Sequence, residues 1–445
     1  MASFPRFLTA AIILTILFFV SPSNSTSRGP LLNHQLTYKE NTGFRVSLTH
    51  VDSGANFTTF ERLQRAMKRG NNRLNQLNGL MASSDDLSSL VYPGNGEFLM
   101  NLSIGTPPTE FIAIMDTGSD LIWTQCRPCQ NCYDQSTPIF DPQGSSSFLK
   151  LSCYSHQCGE LPSSVCRSDG CEYTYTYGDY SSTQGIMATE TFTFGNISVA
   201  NLGFGCGEDN QGNGFTQGTG LVGFGRGPLS LVSQLREPAF SYCFTSIYSM
   251  QTSTLLVGPL ALNSIGTNVS RQKTTPIYTN PSRSSLYYIH LQGITVGTVS
   301  LPIERSSLAI RSDGSGGMII DSGTTVTYLE NSVFDLVKAE FINQVKFKVD
   351  DSGVTGFDLC FVVPNGTLYI QVPRLVFHFE DADVEFPANN YMQADSTLGL
   401  MCLIMDGSNG LSIFGNLMQQ NIMVVHDLNK ETISFIPTQC DKIRS

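Results

Sequence analysis

A chain of 445 residues with 41% apolar residues is long enough for two lobes, so core size sets no limit. Its charge is unevenly placed: residues 25–79 carry eight Lys/Arg against three Asp/Glu, whereas residues 80–445 carry seventeen against thirty-four, a net of −17. An acidic body with only seven lysines argues against nucleic acid or anionic membrane as a partner, and carboxylate repulsion that eases as pH falls is compatible with work in acid.

At the amino terminus, Arg6 precedes the apolar run Phe7 to Val20 and then Ser21-Pro22-Ser23-Asn24-Ser25. This is the layout of a secretory signal over residues 1–24. The run is short of the roughly twenty residues that span a bilayer, and no later segment is long enough, so no membrane anchor is expected. Twelve cysteines, even in number and several closely spaced, fit an oxidising compartment, which together with the signal predicts an extracellular, secreted protein. Glycosylation sequons stand at Asn56, Asn101, Asn196, Asn268 and Asn365, with Asn101 inside a predicted strand.

Residues 25–79 read as a basic pro-segment. In Phe60 to Arg69 the apolar Phe60, Leu63 and Met67 recur at spacings of three and four, predicting a helix with a basic opposite face. Its cations are expected to cover an acidic cleft. Met81 to Ser89 is polar and loop-like, placing the mature terminus within about residues 79–90.

From Glu97 the chain turns to short alternating segments punctuated by Gly, Pro, Ser and Asn, a mainly β texture whose clearest helix is Ser332 to Val345. It is also written twice. Phe98 to Gly105 precedes the acid turn Ile114-Met115-Asp116-Thr117-Gly118-Ser119; Tyr287 to Gly297 precedes Ile319-Ile320-Asp321-Ser322-Gly323-Thr324. Each acid is followed about a hundred residues on by an apolar-apolar-Gly element, Leu221-Val222-Gly223 and Ile413-Phe414-Gly415. Two copies predict pseudo-two-fold related lobes, 80–275 and 276–445, meeting in the polar stretch Lys273 to Ser284, with Asp116 and Asp321 face to face. Gly205-Cys206-Gly207 and Gly218 to Gly227 lack a phosphate-loop lysine or a dinucleotide fingerprint and read as β turns.

Two carboxylates sharing one site do not both ionise easily. The ionised member draws a proton from water while the protonated one hydrogen-bonds to a carbonyl, so hydrolysis needs no covalent intermediate, metal or cofactor. From about residue 95 to 440 the chain resembles the pepsin-like aspartic proteases, and within them the plant nepenthesin group. The resemblance implies a bilobal pepsin-like acid protease fold, a monomer, and protein or peptide substrates, the pro-segment itself and statine-type inhibitors as partners. It also assigns roles: Asp116 and Asp321 as the catalytic pair, Thr117 and Ser322 as hydroxyls cross-linking the two turns, and Ser119 and Thr324 as hydroxyls on the outer carboxylate oxygens. Gly118 and Gly323 complete the turns. Tyr177, in Tyr175-Thr176-Tyr177-Gly178-Asp179, matches the flap tyrosine, and Trp123 the indole that steadies it. Tyr180 departs from the family pattern, standing where the flap tip usually has glycine.

Cys126-x-x-Cys129-x-x-Cys132 has a zinc-like spacing, but an oxidising compartment and the further Cys153, Cys158, Cys166 and Cys171 favour disulfides. Spacing alone does not pair them. The resemblance implies Cys126–Cys129, Cys132–Cys206, Cys153–Cys171, Cys158–Cys166, Cys243–Cys440 and Cys360–Cys402. The leading expectation is therefore a secreted aspartic endopeptidase made as a zymogen. The alternatives are a catalytically dead relative that binds another protein, and a glycosidase, whose acids would stand about 5 Å or more apart.

Overall fold

The computed structural model describes residues 43–53, 56–79, 98–167, 170–177, 181–212, 218–263, 271–367 and 369–443. The signal reading, the cleavage stretch 81–89, Asn268 and the flap-tip residues Gly178, Asp179 and Tyr180 lie outside them. Strands dominate, as the alternation predicts: twenty belong to one hydrogen-bonded network, and two four-stranded sheets flank it in the second half of the chain.

The duplication is visible in the pairing. Strand Thr109–Asp116 runs parallel to Gly220–Gly223, aligning Leu221 with Ile114 and Gly223 with Asp116. Strand Met318–Ile320 runs parallel to Ser412–Phe414, aligning Ile413 with Ile319 and Phe414 with Ile320. Each apolar-Gly element also takes an antiparallel neighbour seven residues after its acid: Leu221 faces Trp123, and Ile413 faces Tyr328. The halves are stitched together where Ala239–Cys243 pairs antiparallel with Ile422–Asp427.

The first glycine-rich run is not a turn, and the second becomes one only past its strand, where Gly227 opens a turn closed by Ser230 N–H on its carbonyl at 3.2 Å. Gly205 to Gly207 lie within strand Ile197–Gln211, and Gly220 and Gly223 bound a strand of their own. Glycine stands there because neighbours press on it: a Cβ on Gly220 would lie 2.0 Å from the Trp123 carbonyl oxygen.

The helix expected over 332–345 spans Asn331–Gln344, with the Glu330 side chain accepting from Ser332 N–H and Val333, Phe334, Val337 and Phe341 buried. The basic stretch 25–79, the leader below, contributes more than a helix. Phe44–His50 is a strand of the main network, paired with Ser253–Val257 and Phe98–Ile104. Its inward residues Phe44, Val46 and Leu48 join the principal core, where Phe44 stacks on Phe194 at 4.5 Å.

The leader helix runs Thr59–Gly79. Thr58 and Glu61 close a reciprocal capping box, Thr58 N–H donating to Glu61 Oε2 at 2.8 Å and Glu61 N–H to Thr58 Oγ1 at 3.2 Å. Leu63, Leu74 and Met67 pack on an apolar cluster of the second half with Phe357, Leu400, Cys402 and Ile404. The expectation that its cations as a set cover an acidic cleft is corrected. Arg65 and Arg69 both pair with Asp52 of the leader itself at 2.7 Å, and Arg62 donates to the Ile247 carbonyl at 3.0 Å.

Four of the six expected disulfides are also corrected; Cys243–Cys440 and Cys360–Cys402 form as expected. Cys126 pairs with Cys206 rather than Cys129, because strand Trp123–Gln125 runs parallel to Ile197–Gln211 and brings their Cα atoms to 5.3 Å. That leaves Cys129 to close on Cys132. In the insertion, pairing follows depth: buried Cys158 joins buried Cys171, and solvent-facing Cys166 joins half-buried Cys153. With every cysteine so bonded, the zinc-like spacing has no free thiolate to offer.

Of the sequons, Asn56, Asn101, Asn196 and Asn365 are exposed. Asn101 lies on strand Phe98–Ile104, as expected, with its side on the solvent face.

Candidate active site

The two acid turns meet at the centre of the molecule. Asp116 ends its strand buried at 2% exposure and Asp321 follows its strand at 0%, so neither carboxylate faces open solvent. Thr117 N–H donates to Ser322 Oγ at 3.2 Å and Ser322 N–H to Thr117 Oγ1 at 2.9 Å, a reciprocal cross-link between the turns. Each acid is held identically by its own turn. Gly118 N–H and Ser119 Oγ donate to Asp116 at 3.0 and 2.5 Å; Gly323 N–H and Thr324 Oγ1 donate to Asp321 at 2.9 and 2.8 Å. Glycine is required where the acids converge: a Cβ on Gly323 would lie 2.7 Å from Asp116 Oδ1 and 3.2 Å from Asp321 Oδ1.

Burial pushes the Asp116 carboxyl up from its ordinary range, Asp321 pushes the same way, and the nearby Arg73 guanidinium opposes both. Arg73 is the residue that the sequence reading missed. It comes from the leader helix and reaches both acids at once, Nη2 to Asp116 Oδ1 at 2.8 Å and Nε to Asp321 Oδ2 at 2.9 Å. Its side chain is 6% exposed, so the ion pairs are sealed from solvent. Near it, Tyr328 OH donates to Asn71 Oδ1 at 2.6 Å, tying the same helix to the second lobe. Its phase gives only a weak signal: ten residues after Leu63, Arg73 falls about 80° round the helix from it, at the edge of the apolar stripe.

Trp123 and Tyr177 meet as expected, the indole Nε1–H donating to the phenol oxygen at 2.8 Å, with both side chains buried. Tyr177 N–H donates to the Ser181 carbonyl at 2.8 Å, so the tyrosine sits at the base of a hairpin tip. Burial raises its phenol well above the usual value.

Two further braces went unread in the sequence. Asp120, directly after the first turn, accepts from Gly227 N–H at 2.9 Å and from Ser285 Oγ. Burial raises its carboxyl too. In the second lobe, Asn416 Nδ2 donates to the Ser322 carbonyl at 2.9 Å, and Gln419 Nε2 to the Phe414 carbonyl at 2.7 Å. Their proximity to the apolar-Gly elements was the available clue.

Chemically, the site offers two cross-linked carboxylates, one of them disposed to hold a proton, with hydroxyl and amide donors on both. That set suits activation of water against a polarised carbonyl.

Residues 98–259 match the family model described as xylanase inhibitor N-terminal, and residues 286–437 the one described as xylanase inhibitor C-terminal. The chain is 50% identical to aspartic proteinase nepenthesin-1 of Nepenthes gracilis over 99% of both chains, and 48% identical to nepenthesin-2 of the same plant over 95% of both. Among solved structures, edgp aligns at a TM-score of 0.60 and 20% identity, covering 79% of this chain and 93% of its own. Soybean basic 7S globulin aligns at 0.59 and 18%, covering 78% and 95%; likeness at that identity speaks to the bilobal fold alone.

Proposed function

We propose, from the premise that this chain belongs to the plant pepsin-like aspartic proteases of the nepenthesin group and is an aspartic endopeptidase acting on peptides or proteins, that it is a secreted zymogen which works in acid. Residues 1–24 direct secretion and residues 25–79 keep the enzyme latent. The lobes 80–275 and 276–445 hold an extended substrate between them. Asp116 and Asp321 share a proton, and the ionised member takes a proton from water as the protonated one hydrogen-bonds to the scissile carbonyl. Thr117 and Ser322 fix the spacing of the pair; Ser119 and Thr324 orient the outer oxygens. Tyr177, steadied by Trp123, closes over the substrate.

The observation that carries the reading is Arg73 bound to both buried acids at once. A cation from the leader between two carboxylates occupies the place where water and substrate carbonyl must sit. Six disulfides suit an extracellular life. The match to the two xylanase-inhibitor family models favours a second reading, a protein that inhibits another enzyme. Complete acid turns and proteinase relatives weigh against it. The decisive experiment is acid incubation of the purified precursor with N-terminal sequencing and a peptide-library digest, beside Asp116→Asn and Asp321→Asn. Loss of cleavage in both variants is expected; full activity in Asp321→Asn refutes the mechanism.

A further inference from the structure

We propose that the second lobe carries a binding site for a small amphipathic anion, a carboxylate or sulfate head on an aliphatic or aromatic tail, apart from the acid dyad. A cavity of about 530 Å³ opens between strand Thr432–Pro437 and the sheet formed by Leu291–Val296, Leu375–Phe379 and Ala382–Phe386. That volume lies in the usual range of small-molecule sites. None of the residues of either acid turn lines it.

Its floor is apolar. Val376, Val384, Ile422 and Phe435 line it and are otherwise buried. Its mouth is cationic, with exposed Arg271, Lys273 and Arg374. Among the described residues, no carboxylate stands within ion-pair distance of Arg271 or Lys273. Arg374 commits its Nε–H to the Gly297 carbonyl at 2.7 Å and keeps only a 3.8 Å approach to Glu385, too long for a hydrogen bond.

Two carboxylates, Asp383 and Glu385, also line the cavity, so its three Lys/Arg exceed its carboxylates by one. Asp383 Oδ1 is held by His378 Nδ1 at 2.6 Å, and His378 Nε2 meets Thr295 Oγ1 at 2.8 Å, a polar chain across three adjacent strands that fixes the imidazole in the wall. Residues 80–445 hold twice as many carboxylates as Lys/Arg, so three cations at one mouth run against the local trend. Positive potential over an apolar floor selects a ligand with both a charged head and an apolar body. Inorganic phosphate uses only the rim, and a neutral hydrocarbon only the floor.

The test is isothermal titration of the full-length protein with decanoate and with 2-naphthoate, which share the head and differ in the tail. Binding at one site per chain is expected for at least one of them, weakened about tenfold when decanol replaces decanoate and about tenfold in the Lys273→Gln/Arg374→Gln double variant. Added salt should weaken it as well. Retained peptidase activity in the double variant shows that the chain is folded, since neither residue belongs to the acid turns. Equal binding of decanol, unchanged affinity in the double variant, phosphate binding as tightly as decanoate, or displacement by a statine-type inhibitor each overturns the proposal; the last would place the ligand in the cleft.

Discussion

Replacing Arg73 with Gln removes the only side chain described as touching both acids, and its cost follows from the geometry. The ion pairs are 2.8 and 2.9 Å long, and their members are 6%, 3% and 0% exposed. Breaking a buried pair by truncating one partner costs about 3–5 kcal/mol when a lone charge stays behind. Here two carboxylates remain and share a proton, which relieves part of that penalty. About 2–3 kcal/mol is left, a shift of roughly 30- to 150-fold in the balance between closed and open leader. On the proposed zymogen reading a statine-type inhibitor binds only the open cleft, so its apparent affinity for the intact precursor at pH 7 should rise by that factor in Arg73→Gln. Arg73→Lys should fall between, because an ammonium lacks the fork that reaches two acids. The pH dependence has a definite sign. Arg73 lowers the proton affinity of Asp116 in the closed form, so the open form binds the proton at higher pH. Closure is therefore favoured on the alkaline side and lost as pH falls through the Asp116 titration. An Arg73→Gln precursor with wild-type inhibitor affinity and an unchanged activation pH would refute the latch.

Two other substitutions probe the site and its support. Trp123→Phe removes the indole N–H that donates to the buried Tyr177 hydroxyl, so kcat/KM on a peptide substrate should fall up to about tenfold, matching the roughly 0.5–1.5 kcal/mol of one hydrogen bond; an unchanged value argues against a positioned flap. His426 is fully buried, stacks on Phe240 at 4.2 Å, and has neither ring nitrogen hydrogen-bonded. Burial holds its imidazole down to about 3. The unfolded chain therefore binds this proton first, and the stability His426 contributes above its unfolded pKa is lost as pH falls toward about 3. His426→Phe should raise Tm at pH 3.5 by several degrees relative to wild type and much less at pH 7, and equal shifts at both values would refute the assignment.

How legible the molecule is in its sequence varies with the range of the contact. The acid turns, their preceding strands, the apolar-Gly elements and the 331–344 helix are local patterns, and each lies where its spacing puts it. Strand Phe44–His50 alternates inward and outward as plainly as any other, but the basic charge of the leader drew the reading toward a helix alone. The glycine runs look like turns because sequence cannot show what presses on a glycine; Gly220 lies against the Trp123 carbonyl from another strand.

The doubled Asp-Thr/Ser-Gly pattern by itself determined the two matching acid turns and the donors that hold each carboxylate, because a strand, an acid, a hydroxyl and a glycine in that order specify a local geometry wherever the chain places it. Only the tertiary structure decided which cation of the leader meets the acids and which cysteines pair. Arg65, Arg69 and Arg73 share one helix and one charge, yet Asp52 takes the first two and the dyad the third. Cys126 passes over Cys129, three residues away, for Cys206, eighty away, because a parallel strand brings Cys206 alongside. Such choices depend on distances between segments far apart in the chain, and residue spacing carries no record of those.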